Sequence, residues 1–98
     1  MALDRQNKDT HYQTGRLIAI TEHYAGKRFG PLTIPKMFTH PAHYLQAYAG
    51  YVDRQDQYYR DIDATPPVSV SIAAEQGRMW IGYYHQRSAY DRDQNLKI

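Results

Sequence analysis

The sequence contains no cysteine and no long hydrophobic run. The lack of cysteine excludes a disulfide framework, a thiolate metal site and a cysteine nucleophile. No stretch approaches the ~18 consecutive apolar residues that a membrane-spanning helix needs, and the first residues are too polar for a signal peptide. We therefore expect a soluble, cytoplasmic chain without a membrane partner, folded as a single domain over residues 1–98.

Phenylalanine and tryptophan are scarce, with two residues and one residue, whereas tyrosine occurs ten times. A tyrosine can bury its ring while its hydroxyl stays in contact with water. This composition therefore suits a small core with hydrated edges, and it also suits an interface.

Charge is distributed unevenly along the chain. Residues 1–40 hold six basic and three acidic residues, whereas residues 41–98 hold six basic and seven acidic ones. Because a polyanion is attracted to the more basic region, we expect such a partner to favour the N-terminal half. The alternative is an ordinary mixed surface with no such partner.

The N-terminal half predicts one helix followed by a loop. Thr10 and Gln13 match a capping box, and apolar residues then recur at helical spacing, which places the first helix at about 10–25. Gly26 stands where a helix commonly stops. Residues 26–38 contain two glycines and two prolines, so we expect a loop there, with one short helical turn in the 31–38 region.

Two further helices are predicted in the rest of the chain. Pro41 suits the first turn of a second helix, and an apolar face then continues through Ile62 for about six turns. Pro67 ends that pattern because it disfavours the helical conformation of its predecessor. The third helix spans about 71–90, and a short charged tail that frays begins at about residue 91.

These elements predict an all-α fold, a small antiparallel bundle of three main helices with a possible short helical turn. Gly15, Gly77 and Gly82 lie inside the predicted helices, where we interpret them as points of close approach between neighbours. Four acidic residues lie late in the second predicted helix: Asp53, Asp56, Asp61 and Asp63. We expect them either to form a solvated face of the helix or to contact a partner.

The sequence contains none of the motifs that commonly carry catalysis. His40 and His43 are three residues apart, and His85 and the Glu22–His23 pair could add ligands. No recognised metal-binding motif is present, however, so we interpret His40 and His43 as a helix start with an exposed first turn. The serines lack a glycine elbow, and no glycine-rich phosphate loop is present. We therefore predict no catalytic residue, no metal site, no cofactor and no enzymatic activity. A stand-alone small enzyme or metal-binding protein stays open as a less favoured alternative.

Nucleic-acid binding is the function that the basic residues favour. One set, Lys27, Arg28 and Lys36, shares a predicted loop that contains no acidic residue. A second set lies within predicted helices and consists of Arg16, Arg78 and Arg87. Aromatic side chains could stack on unpaired bases. The alternative is that the rings form the core and the arginines enter an internal polar network with tyrosines and Glu22 or Glu75.

Two segments of the chain resemble one known family. Residues 3–19, with Leu-Asp-Arg-Gln-Asn followed by Tyr-Gln-Thr-Gly-Arg-Leu-Ile-Ala, resemble a segment in the C-terminal region of the type I-C CRISPR large subunit. Residues 75–87, Glu-Gln-Gly-Arg-Met-Trp-Ile-Gly-Tyr-Tyr-His-Gln-Arg, closely resemble the terminal motif of that family. Residues 39–42 lie where the family has a Pro-Ala helix start. The resemblance covers most of the chain in order.

The resemblance implies a role in a surveillance complex. In such systems the C-terminal part of the large subunit is also made separately, from an internal start codon, as the small subunit of Cascade, and a chain beginning at Met1 is similar to that product. Such subunits are helical bundles that contact the backbone and large subunits and hold single-stranded or unwound DNA, while guide RNA reads sequence by pairing. We therefore expect a non-catalytic part that assembles the complex and stabilises the R-loop. A pure protein spacer with little nucleic-acid contact is the alternative.

Overall fold

Four α-helices make up most of the structure, a computed structural model that describes residues 2–96. They are α1 (Thr10–Phe29), α2 (Ile34–Thr39), α3 (Pro41–Tyr48) and α4 (Ala73–Leu96), with 3₁₀ turns at Ala49–Tyr51 and Tyr59–Asp61 and no strand between residues 2 and 96. The predicted all-α bundle of three main helices and one short helix is confirmed. Met1, expected as an internal start, and Lys97 and Ile98 of the expected tail lie outside the described residues.

The first helix begins at Thr10, as predicted, but it ends at Phe29, beyond the predicted end near residue 25. The residues that cap it also differ from those predicted. Asp9 rather than Thr10 is the N-cap, and its carboxylate accepts the N–H of Tyr12 at 2.9 Å. The predicted capping box is wrong, because Gln13 is buried and accepts the backbone N–H of Asp63 and Ala64. At the other end the helix continues past Gly26 and stops at Gly30, whose φ of 77° lies in the left-handed region.

The second predicted helix is much shorter than expected, since α3 ends at Tyr48 and residues 52–72 are largely irregular. Two aspartates explain the difference. The Asp53 carboxylate accepts the N–H of Gln55 at 2.9 Å, and the Asp56 carboxylate accepts that of Tyr58 at 2.8 Å. Such side chains compete with the helical hydrogen bonds of their own backbone and favour turns. The apolar periodicity across this region therefore reflects rings that pack inward from a loop.

Helices α1 and α4 lie side by side and run in the same direction. Near their N-terminal ends Asp9 pairs with Arg78, and towards their C-terminal ends the ring of His23 stacks on that of Tyr90 at 3.9 Å between centroids. The first and third main helices of an up-down-up bundle run parallel to each other, so this arrangement agrees with the predicted bundle. The long connection over residues 49–72 returns the chain across the bundle to the start of α4. α4 also continues to Leu96, beyond the residue at which a frayed tail was expected.

Two glycines bring the backbones of α1 and α4 into contact. A Cβ placed on Gly15 would lie 1.8 Å from the carbonyl oxygen of Met79, and one on Gly82 would lie 2.1 Å from that of Tyr12. Only hydrogen fits at either position. Gly77 differs, because a Cβ there would meet nothing within 4 Å. The packing explanation therefore holds for Gly15 and Gly82 and fails for Gly77.

Two clusters of buried side chains form the core. The larger cluster lies between α1, α2, α3 and α4 and consists of Ile18, Ala19, Met37, Phe38, Leu45, Val70, Met79 and Tyr83. The smaller cluster lies beneath the irregular segment and consists of Ile20, Val52, Tyr58, Ala89 and Tyr90. Within residues 2–96, no helix combines the length and the apolar character that crossing a membrane requires.

Tyrosine hydroxyls at the edges of these clusters donate to carboxylates. Tyr58 reaches Asp93 at 2.7 Å and Tyr83 reaches Glu22 at 2.7 Å. Burial, reinforced by the hydrogen bond to Asp93, raises the pKa of Tyr58 to about 12. These two tyrosines therefore have a structural use, because each ring fills the core while its hydroxyl hydrogen-bonds a carboxylate at the edge of the core.

The glycine contacts predict opposite effects for equivalent substitutions. Gly15→Ala and Gly82→Ala should each lower the free energy of unfolding by about 1–3 kcal/mol or more, because the added methyl group meets backbone that must move. Gly77→Ala is the control and should raise it by about 0.5–1 kcal/mol, since alanine is the better helix former at an exposed site. Urea denaturation followed by circular dichroism measures all three, and equal effects at the three positions would contradict the close contact.

Candidate nucleic-acid interface

Arg16 was predicted to contact nucleic acid, but the structure buries it completely. Its Nε donates to the amide oxygen of Gln86 at 2.9 Å, and its Nη2 donates to the Asp61 carboxylate at 2.9 Å. A guanidinium with no exposed surface cannot reach a phosphate. The prediction for Arg16 is therefore wrong. Arg16 does enter an internal polar network, as the alternative held, but its partners are Gln86 and Asp61 and not the expected tyrosines and Glu22 or Glu75.

Asp61 joins this network to the N-terminal segment. Arg5 donates to its carboxylate through Nε at 2.7 Å and Nη2 at 3.1 Å, and the Arg5 guanidinium also lies 5.1 Å from the ring centroid of Tyr58. Burial alone would raise the pKa of Asp61, but the hydrogen bonds from Arg5 and Arg16 lower it below its ordinary value. One carboxylate therefore connects residues before α1, α1 itself and the irregular segment.

The basic N-terminal half is largely neutralised by the acids of the second half. Arg5 and Arg16 pair with Asp61, and Lys8 pairs with Asp63 at 3.4 Å. These are three of the six basic residues that made residues 1–40 positive. The predicted asymmetry of charge is thus reduced by folding, and the basic residues that keep their charge unpaired are the three from the predicted loop.

Those three residues, Lys27, Arg28 and Lys36, are all exposed, and none has a carboxylate within 4 Å among residues 2–96. The structure places Lys27 and Arg28 on the last turn of α1 and Lys36 on α2 rather than in a loop. Lys27 lines a polar cleft of about 310 Å³ that also contains Asp56 and Asp93, so its positive field is partly offset.

Arg28 differs from the two lysines in lying near two exposed aromatic rings. Its guanidinium lies 6.0 Å from the ring centroid of Phe29 and 5.7 Å from that of Tyr51. The two rings meet edge to face at 4.9 Å and are 50% and 43% exposed. We call Arg28, Phe29 and Tyr51 the Arg28 cluster. Sequence reasoning missed its two rings, although Phe29 directly follows the Lys27–Arg28 pair.

Arg78 and Arg87 are exposed, but each has a local partner. Arg78 pairs with Asp9 at 3.4 Å, and Arg87 lies 3.5 Å from the hydroxyl of Tyr83. The charges of Tyr83 and Glu22 raise the pKa of Arg87 above its ordinary value. Neither arginine lies on the helix that carries Arg28. The ion pair of Arg78 joins α4 to the start of α1, whereas the contact between Arg87 and Tyr83 lies within α4.

The motifs that carry the family resemblance occupy the interface between α1 and α4. The hydroxyl of Tyr12 lies 2.8 Å from Nδ1 of His85, Arg16 bonds to Gln86, and Gly82 packs on the backbone of Tyr12. These positions hold the two helices together. The resemblance therefore bears on the architecture of the chain more directly than on any surface for nucleic acid.

The histidines considered as metal ligands are dispersed. His40 and His43 are exposed at the start of α3, whereas His85 lies on α4 against Tyr12. Among residues 2–96, no three histidine, aspartate or glutamate side chains converge in an arrangement that could hold a metal ion.

Comparison with protein-family models, with curated proteins and with solved structures finds no match to this chain.

The network around Asp61 predicts a specific dependence of stability on pH. Asp61→Asn should lower the free energy of unfolding at pH 7 by about 3–5 kcal/mol, because the buried Arg16 loses its counter-charge. In the wild type the depressed pKa of Asp61 contributes stability above its unfolded value of about 3.9, and this contribution is lost as the pH falls through the folded pKa. Asp61→Asn should lack that part of the acid transition.

Asp63→Asn is the matched control, since Asp63 is exposed and pairs with Lys8 at the surface. It should change stability by less than about 1 kcal/mol. Urea titrations at pH 3 to 7 compare the variants, and similar losses for both substitutions would show that Arg16 does not depend on Asp61.

Proposed function

We propose that this chain is a non-catalytic nucleic-acid-binding component of a larger assembly, acting as the small subunit of a type I-C-like Cascade complex that stabilises unwound DNA through its sugar-phosphate backbone. The observation that carries the proposal is the Arg28 cluster: an exposed guanidinium beside two half-exposed rings, with no carboxylate partner among residues 2–96. The resemblance of residues 3–19 and 75–87 supports the choice of complex.

The chemistry of the Arg28 cluster suits a nucleic-acid strand. A guanidinium presents a planar set of donors that matches phosphate oxygens. The exposed faces of Phe29 and Tyr51 can receive bases that are not paired with another strand. Lys27, one residue away on α1, and Lys36 on α2 add positive charge. With only a few phosphate contacts the isolated chain should bind weakly, and avidity within an assembly would raise the affinity.

A second candidate is a spacer that joins other protein subunits and scarcely contacts nucleic acid. The observations in its favour are the burial of Arg16 and the use of the motif positions for packing between α1 and α4. Both candidates require the same fold. They differ in whether the unpaired basic residues make contacts of their own with phosphate.

The salt dependence of binding distinguishes the two candidates. Replacing Lys27, Arg28 and Lys36 together by alanine should weaken binding of the purified chain to a thymidine oligonucleotide. The slope of log K against log salt should become shallower by about 2, since each phosphate contact on a single strand contributes about 0.7. Fluorescence anisotropy at several salt concentrations measures both quantities.

Replacing Arg54, Arg60 and Arg92 by alanine is the control, because these residues are also exposed and their loss removes the same charge. The control variant should keep most of the affinity and the slope. Equal losses in both triple variants would indicate a general effect of net charge, and an unchanged slope in the first variant would favour the spacer.

A further inference from the structure

Three aromatic rings form a continuous stack from the core to the surface. Phe38 of α2 is 1% exposed, and its ring stacks on that of Trp80 of α4 at 3.8 Å with an angle of 17° between the planes. Trp80 in turn stacks on Tyr84 at 5.6 Å and 24°. Tyr84 is 53% exposed. The stack therefore ends at a ring of which about half is open to solvent.

The position of Tyr84 is fixed by its neighbours. The ring of Tyr83 meets it edge-on at 5.2 Å and 72°, and Tyr83 itself is 2% exposed and bonded to Glu22. Trp80 and Tyr84 are one helical turn apart on α4, so the helix itself sets their spacing. A ring held in this way loses little conformational freedom when a second ring is placed on it.

We propose that Tyr84 is the outer end of a stacking platform that receives one unpaired base of single-stranded nucleic acid. The choice of nucleic acid rests on the proposed function, but the site does not overlap the Arg28 cluster. Parallel stacking of rings is the geometry in which bases bind aromatic side chains. A base that stacks on the exposed face of Tyr84 would add a fourth ring to the stack of Phe38, Trp80 and Tyr84. Paired bases in a duplex are stacked on each other, so the platform selects single strands.

Charge near the stack is complementary to a strand that supplies the base. Lys36 lies two residues from Phe38 on α2, is exposed and has no carboxylate within 4 Å among the described residues. Arg87 lies three residues after Tyr84 on α4, is exposed and contacts the Tyr83 hydroxyl. Arg87 lies within one helical turn of Tyr84, so it places a cation near the phosphates of a strand whose base stacks on that ring. Lys36 adds positive charge on the other helix of the stack.

A comparison of two ligands isolates stacking from electrostatic attraction. The first is a thymidine oligonucleotide, and the second is an abasic strand of equal length with the same phosphates. Tyr84→Ala should weaken binding of the thymidine strand by about 5- to 150-fold, the range found for loss of one base–aromatic stack. Binding of the abasic strand should change little. Tyr84→Phe should keep the affinity, because the ring remains.

The single tryptophan provides a local signal. Trp80 is the only tryptophan in the chain, so quenching of its emission reports a base near Tyr84. We expect quenching by the thymidine strand and not by the abasic strand. Ile81→Ala is the control, since Ile81 is 47% exposed on α4 but has no ring, and it should bind both ligands like the wild type. Thermal unfolding verifies that each variant is folded.

The outcomes separate the two proposals. If Tyr84→Ala leaves binding of both strands unchanged, or weakens both equally, the platform is wrong while the salt-dependent role of Lys27, Arg28 and Lys36 can still hold. If the thymidine strand quenches Trp80 and needs Tyr84, yet the triple alanine variant binds normally, the platform holds and the role of the Arg28 cluster fails. If neither strand binds the wild type, both proposals fail.

Discussion

The contact between the backbones of α1 and α4 is the constraint on which the rest of the structure depends. Gly15 and Gly82 permit that contact, because a methyl group at either position would overlap a carbonyl oxygen of the other helix. Helices this close leave no room for an arginine to leave the interface. Arg16 is therefore held inside, where Gln86 and Asp61 satisfy two of its nitrogens. Asp61 in turn fixes the irregular segment and the residues before α1.

This constraint decides which basic residues remain available. Two of the four acids that were expected to form a solvated face, Asp61 and Asp63, pair with Arg5, Lys8 and Arg16. Among the basic residues of the described N-terminal half, those that keep no carboxylate partner are Lys27 and Arg28 at the end of α1 and Lys36 on α2. Binding of nucleic acid would then depend on few charges supported by rings, at the Arg28 cluster and at the outer end of the Phe38–Trp80–Tyr84 stack. Stacking is less sensitive to salt than phosphate contact, so the two kinds of site are complementary.

Local sequence signals predicted the helical class and the two long helices, but they could not predict the loop. The apolar spacing between Pro41 and Ile62 fits a helix as well as it fits a folded segment. The segment is a loop because the carboxylates of Asp53 and Asp56 accept hydrogen bonds from nearby backbone N–H groups. The burial of Arg16 could not be predicted from local sequence either, because its partners Asp61 and Gln86 are far away in the chain. The exposure of Lys27, Arg28 and Lys36 was easier to foresee, since no acid is near them in the chain.

The most direct test of the account is nuclear magnetic resonance of the isotopically labelled chain during titration with a thymidine oligonucleotide. Amide and ring signals of Arg28, Phe29, Tyr51 and Tyr84 should shift together with those of Lys36, while the signals of buried Arg16 stay in place. Shifts confined to the exposed arginines of the control variant, Arg54, Arg60 and Arg92, or no shifts at any strand concentration, would contradict the claim. The claim is that Lys27, Arg28 and Lys36, with their neighbouring rings, bind a single strand.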